Sequence, residues 1–315
     1  MKIVILDAGT LGDDIDLSVF SELGETVIYA TSAPDEVEER ISDCDVAVLN
    51  KVKLSEKELS KATNLKLICI TATGFDNVNK EACKKYGIAL CNVVGYSTQS
   101  VAQITVTLAL ALISHLSYYD RYVKSGAYTR SGKQNCLEPV FPELEGKTWG
   151  IAGYGNIGQQ VAKIARAFGC KVIAYSRNPK ENVENVSLET LCRESDILSI
   201  HLPLNNESNQ MFGKEQFQWM KKNAVLINVA RGAVIDDEAL TEAILNHEIG
   251  AFGSDVYATE PIPENHPFSQ LFSMENVLFT PHLAWGAYEA RVRCMNEVME
   301  NIRSFYSGGK KNRIV

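Results

Sequence analysis

The chain alternates between short apolar runs and longer polar stretches with helical character. The runs lie at 3–6, 26–29, 46–49, 67–70 and 88–91, and again at 148–152, 171–175, 197–200, 224–228, 250–256 and 277–279. Most are continuously apolar and rich in Val and Ile, the pattern of parallel strands covered on both faces. Between them lie helix-forming segments such as 35–42, 55–62 and 236–246. This rhythm predicts an α/β fold.

The rhythm breaks once. Residues 98–119 (TQSVAQITVTLALALISHLSYY) read as one helix of about six turns, too apolar for a single stripe. Such a helix is buried or joins a subunit interface. A polar, Gly-containing stretch follows from 121 to about 146, and strands resume at 148. A domain boundary is therefore expected near residue 98. At 315 residues the chain suits about two domains. A last helix, 286–306, follows the final strand and is expected to pack back onto the first domain. The tail GGKKNRIV reads as a loosely held end whose last residues are able to dock.

Composition narrows the function classes. Lys and Arg total 31 against 39 Asp and Glu, a formal net charge of −8. A nucleic-acid partner is not expected, because binding phosphates takes clustered cations. No run approaches the ~18 apolar residues of a membrane span, and the first residues lack the pattern of a signal peptide. The eight cysteines are scattered, with no C-x-x-C pair, and read as buried reduced thiols rather than disulfides or metal ligands. A cytoplasmic protein with no metal site is expected.

Two sets of residues carry candidate chemistry. Gly153-Tyr154-Gly155-Asn156-Ile157-Gly158 sits between the run TWGIA and the amphipathic segment IGQQVAKIARAFG, where a dinucleotide-binding turn must sit. Gly153 permits the turn, Gly155 lets the backbone approach a pyrophosphate, and Gly158 lets helix pack on strand. The helix N-terminus, at Asn156, Ile157 and Gly158, offers N–H groups to the anion. About 20 residues beyond these glycines, NAD-selective folds place an acid. Here Ser176 and Arg177 occupy that position. With no carboxylate there and a guanidinium shaped for phosphate, NADP(H) is expected over NAD(H). The second set follows later strands: Asn228-Val229-Ala230-Arg231-Gly232, Asp255-Val256-Tyr257-Ala258-Thr259-Glu260-Pro261 and Pro281-His282. Ligand crevices open beyond the carboxyl ends of such strands, so Arg231, Glu260 and His282 are expected to converge.

The segments GYGNIG, NVARGAVIDDEAL, GSDVYATEP and TPHLAWGAYEAR, with TATGFDN and GYSTQSVAQ earlier, resemble the D-isomer-specific 2-hydroxyacid dehydrogenase family over nearly the whole chain. The resemblance implies two doubly wound parallel-sheet domains. A Rossmann dinucleotide-binding domain (99–286) would be inserted into a flavodoxin-like substrate domain (1–98 plus 287–315). It implies His282 as the acid–base residue and Glu260 as its orienting partner. Arg231 would hold the substrate carboxylate, helped by the backbone N–H groups of Thr73 and Gly74. Asp255 would contact the nicotinamide carboxamide, and Val229 and Ala230 the coenzyme. A homodimer joined through the dinucleotide domain and the 98–119 helix is implied, as is domain closure hinged near 96–100 and 285–288. The segment TPHLAWGAYEAR resembles the glycerate dehydrogenase and hydroxypyruvate reductase branch, so a small 2-oxoacid such as hydroxypyruvate or glyoxylate is expected. Pyruvate or larger 2-oxoacids, as in D-lactate dehydrogenases, stand behind them, and a dinucleotide-sensing corepressor further off. Lys51 reads as a solvated loop residue; Trp285 suits pocket wall and plain packing equally. His115, His201, His247 and His266 are expected to be structural.

Overall fold

A computed structural model describes residues 1–315. In chain order the first elements are β1 (Lys2–Ile5), β2 (Glu25–Ile28), α1 (Val37–Ile41), β3 (Val46–Leu49), α2 (Glu56–Leu59), β4 (Leu67–Ile70), α3 (Lys80–Tyr86) and β5 (Ala89–Cys91). Next come α4 (Thr98–Ile113), α5 (Leu116–Lys124), α6 (Ala127–Ser131), β6 (Thr148–Ala152), α7 (Asn156–Ala167), β7 (Lys171–Tyr175), β8 (Glu184–Asn185), α8 (Leu188–Glu194) and β9 (Ile197–Ile200). The chain ends with α9 (Lys214–Trp219), β10 (Val225–Asn228), α10 (Asp237–Leu245), β11 (Ala251–Ser254), β12 (Val277–Phe279) and α11 (Tyr288–Tyr306). Two compact units result: Met1–Ser97 with Gly286–Val315, and Thr98–Trp285.

Each unit is an α/β layer structure on an all-parallel sheet. The first has strand order β2-β1-β3-β4-β5. Its central strands β3 and β4 are buried along their whole length, which is why their sequences do not alternate. Helix α11 packs against β4. The C-terminus is held rather than loose: Ile314 N–H donates to the Leu90 carbonyl at 2.8 Å, and Cys91 bridges Arg313 beside β5. The exposed edge of β5 offers unpaired backbone groups, and the tail satisfies them.

The second unit has strand order β12-β11-β10-β9-β6-β7-β8. The order reverses between β6 and β9, the switch point of a doubly wound sheet. Trp149 on β6 is fully buried and donates its indole N–H to Ser199 Oγ on β9 at 3.0 Å. Helix α7 lays Gly158, Val161, Ala162 and Ala165 inward, a spacing that gives one apolar stripe. Helix α4 packs on α7, β10 and β11. Each buried Leu or Ile it contributes is worth about 1.5–3 kcal/mol.

The long helix expected over 98–119 is two helices. It breaks at His115, whose φ of 49° is left-handed, and α5 departs at 61°. Polar Ser114 and His115 leave the core there, so burial no longer holds the helix straight. No single helix is long and apolar enough to cross a membrane. Strand β8, two residues long, carries no apolar run and was not foreseen.

Candidate active site

The glycine turn leaves β6 at the switch point of the second unit. Gly153 has φ +100°, and a Cβ on it would lie 2.6 Å from the His201 carbonyl oxygen. A Cβ on Gly158 would lie 2.3 Å from the Gly153 carbonyl oxygen, so only glycine lets α7 start this close to the strand. Beside Gly155 there is open space: a Cβ there meets nothing within 4 Å. Gly155 caps α7 without a side-chain hydrogen bond, leaving the N–H groups of Asn156, Ile157 and Gly158 without helical partners. Donors around an open approach fit a dinucleotide pyrophosphate.

Ser176 and Arg177 follow β7 directly. Ser176 N–H donates to Asn185 Oδ1 at 3.1 Å, and Arg177 Nη1 donates to Glu207 Oε2 at 3.1 Å. Sequence spacing shows no acid at this strand end. The fold brings one from the loop after β9, 30 residues away.

Arg231, Glu260 and His282 stand on three neighbouring strand ends, after β10, β11 and β12. Their loops are tied together by backbone contacts. Asn228 Nδ2 donates to the Arg231 carbonyl at 3.0 Å, and its Oδ1 accepts from Ala230 N–H at 3.1 Å. Arg231 Nη1 donates to the Ala230 carbonyl at 2.8 Å. Val229 and Ala230, between strand and arginine, are buried. A Cβ on Gly232 would lie 1.9 Å from the Tyr257 carbonyl carbon, so the Arg231 loop touches the Tyr257–Ala258 backbone directly. Tyr257 N–H in turn donates to Glu260 Oε1 at 3.1 Å. The other carboxylate oxygen, Oε2, stands 2.6 Å from His282 Nδ1.

A carboxylate only accepts, so the imidazole carries its hydrogen on Nδ1 and leaves Nε2 for other work. The ring and the carboxylate are 25% and 32% exposed, accessible without being fully solvated. His282 has φ 52°, an uncommon conformation for a residue with a Cβ. Asp255 holds it there. Its buried carboxylate accepts from Leu283 N–H and Ala284 N–H, both at 2.9 Å, and from Thr280 Oγ1 at 2.6 Å. Burial raises the Asp255 pKa against these hydrogen bonds. Gly232 and this clamp by Asp255 escaped the sequence reading. The signal was present, since a glycine directly after a candidate arginine invites a close-approach reading.

The remaining histidines lie elsewhere. His266 makes a second carboxylate pair, Nε2 to Asp237 Oδ2 at 3.1 Å, but it is 6% exposed and its Nδ1 accepts from Phe268 N–H. Both ring nitrogens are committed inside the core. His115 and His247 sit in left-handed turns. His201 has Nε2 3.0 Å from Ser199 Oγ and a buried Nδ1 with no partner. Burial pushes its pKa down to about 3.

In the first unit, the Thr73 side chain donates to the Val93 carbonyl at 2.8 Å and its carbonyl accepts from Asn92 Nδ2 at 2.7 Å. That fixes the turn while the N–H groups of Thr73 and Gly74 make no hydrogen bond. Lys51 is exposed, and its N–H donates to the Asp7 carboxylate at 2.6 Å. Trp285 packs half-buried on the core of the second unit. None of the eight cysteines is in a disulfide, and seven are buried. Burial lifts the Cys44 and Cys192 thiols to about 12, far from reactive thiolates.

A doubly wound sheet with a glycine turn at its switch point and a histidine–carboxylate pair beyond its strands defines a nicotinamide-dependent oxidoreductase. Residues 106–284 match the model for the NAD-binding domain of D-isomer specific 2-hydroxyacid dehydrogenases. The chain is 34% identical to a hydroxypyruvate reductase of Blautia hydrogenotrophica over 99% of both chains. It is 35% identical to a glycerate dehydrogenase of Methylorubrum extorquens, over 99% of this chain and 98% of that one. Among solved structures it superposes on a D-lactate dehydrogenase of Aquifex aeolicus with NAD and lactic acid. The TM-score is 0.87 at 28% identity, covering 100% of this chain and 99% of that one. It also superposes on an acyclic imino acid reductase with NADPH and D-Arg, with a TM-score of 0.89 at 29% identity over 100% of both. The chain belongs to the D-isomer-specific 2-hydroxyacid dehydrogenase family, whose members act on CH–OH donors and nicotinamide acceptors.

Proposed function

We propose that the chain interconverts a small 2-oxoacid and its D-2-hydroxyacid, with hydroxypyruvate or glyoxylate as the oxoacid. The observation that carries this reading is the 2.6 Å His282–Glu260 contact, closed across 22 residues of sequence beside the Arg231 loop. The bound nicotinamide supplies the hydride that reaches the carbonyl carbon. His282 Nε2 gives a proton to the carbonyl oxygen and takes it back in the reverse direction. Glu260 fixes the ring and stabilises the charge it carries while protonated. Arg231 binds the carboxylate and faces the charge developing on oxygen with a fixed cation. Thr73 and Gly74, in the first unit, keep N–H groups that suit a carboxylate. Gly153, Gly155, Asn156, Ile157 and Gly158 would hold the pyrophosphate, and Val229, Ala230 and Asp255 would contact the nicotinamide end of the coenzyme.

Relatives named hydroxypyruvate reductase, glycerate dehydrogenase and glyoxylate reductase support the substrate class. Arg177 supports NADP(H) over NAD(H), with Ser176 beside it. The exposed apolar side chains Leu116, Val123, Leu137, Val140 and Phe141 support a homodimer through this stretch, checked by sedimentation. The unpaired cysteines support a cytoplasmic setting, and the net charge of −8 supports small-molecule rather than nucleic-acid partners. The deciding experiment follows coenzyme oxidation over hydroxypyruvate, glyoxylate, pyruvate, phenylpyruvate and branched 2-oxoacids, with NADPH and NADH. Fastest turnover with the first two supports the reading. Fastest turnover with pyruvate or larger acids moves the substrate, and silence across the panel with intact coenzyme binding overturns enzymatic function.

A further inference from the structure

Arg177 is the residue that would attract a 2′-phosphate, yet it is already paired. Its Nη1 lies 3.1 Å from Glu207 Oε2, and both side chains are exposed, at 64% and 71%. The two are held by separately organised loops. Asn178 N–H donates to Ser176 Oγ at 3.3 Å and Ser176 N–H to Asn185 Oδ1 at 3.1 Å, fixing the turn that carries Arg177.

Glu207 sits in a self-bonded loop. Its own N–H and that of Ser208 donate to Asn205 Oδ1, at 2.9 and 3.1 Å. Ser208 Oγ donates to the Pro203 carbonyl at 2.6 Å and accepts from Asn205 N–H at 2.9 Å. Ser208 is 3% exposed. Just beyond, Gln210 N–H donates to the Ala233 carbonyl at 2.7 Å, tying the loop to the segment that follows Arg231. The Glu207 carboxylate is therefore held against the Arg177 guanidinium, whose backbone lies two residues past β7, where an acid selects against NADP. It arrives through space from the loop after β9.

We propose that Glu207 sets coenzyme choice by opposing Arg177. It engages Nη1 of the guanidinium that a 2′-phosphate needs, and its charge repels the same phosphate. NADPH then binds less tightly than the Ser176-Arg177 pair alone would allow, and NADH stays usable. The proposal rests on the reading above that a dinucleotide binds at the Gly153–Gly158 turn.

Equilibrium binding of NADPH and NADH to the apo protein, by fluorescence titration, tests it without turnover. The wild type is compared with Glu207→Gln and Arg177→Ala. Glu207→Gln should tighten NADPH about two- to fivefold, the scale of an exposed ion pair, and move NADH less than twofold. Arg177→Ala should loosen NADPH about tenfold, the scale of a charge-assisted phosphate contact. The gain in Glu207→Gln should shrink as salt is raised. An unchanged NADPH-to-NADH ratio in Glu207→Gln, or an equal shift for both coenzymes, overturns the proposal while leaving the enzyme reading intact. If the wild type binds neither coenzyme, both fall together.

Discussion

Replacing Glu260 by Gln probes the chemistry with little change of shape. Both oxygens of this carboxylate accept from N–H groups: Oε1 from Tyr257 and Oε2 from His282 Nδ1. An amide has one acceptor oxygen, so whichever way the new side chain turns, its NH2 faces a donor. A hydrogen bond to a charged group is worth about 1.5–3 kcal/mol. With the two side chains 25% and 32% exposed, solvent screening reduces that to about 1–2 kcal/mol. At 1.4 kcal/mol per factor of ten, kcat/KM on the best 2-oxoacid should fall about 5- to 30-fold. Coenzyme affinity should move less than twofold, because Glu260 acts through His282. Removing the ring itself, in His282→Ala, should cost about 10²- to 10⁴-fold. In that background Glu260→Gln should add almost nothing, since it has no ring left to orient. Unchanged kcat/KM in Glu260→Gln, or full multiplication of the two losses, would refute the orienting role.

Gly232→Ala forces a Cβ to within 1.9 Å of the Tyr257 carbonyl carbon. The Arg231 and Glu260 loops must separate by roughly an ångström, which costs about 1–3 kcal/mol in stability and about 100-fold in kcat; a near-normal Tm and turnover would show that the close approach is unnecessary. Stability should also depend on pH through His201, whose folded pKa of about 3 lies below the ordinary 6.5. Between those values the unfolded chain binds a proton that the folded chain does not, so stability falls as pH drops below 6.5. The slope is at most about 1.4 kcal/mol per pH unit, and denaturant unfolding of His201→Gln should show a shallower acid slope than wild type. Equal slopes would count against the buried neutral ring.

The strands were legible because each but β8 falls on an apolar run, continuous in most because parallel strands covered on both faces carry no polar face. Strand β8 does not, because Glu184 and Asn185 pair at an exposed edge where no apolar run is needed. The bend at His115 was hidden, because helical propensity over 98–119 says nothing about where tertiary packing releases the chain. His282 and Glu260 were visible as residues after strands, but the 2.6 Å between them is set by loop geometry. Glu207 was invisible: its 30-residue separation from Arg177 carries no period, and only the adjacency of β7, β6 and β9 in the sheet brings their loops near.

The most direct measurement is the reduction of hydroxypyruvate by NADPH, with wild type and His282→Ala side by side and the product resolved by chirality. D-Glycerate from the wild type, and a loss of at least about 100-fold in a variant that still binds NADPH, is the expected result. L-Glycerate would contradict the D-specific orientation of the oxoacid, and comparable turnover by both proteins would contradict a proton delivered by His282.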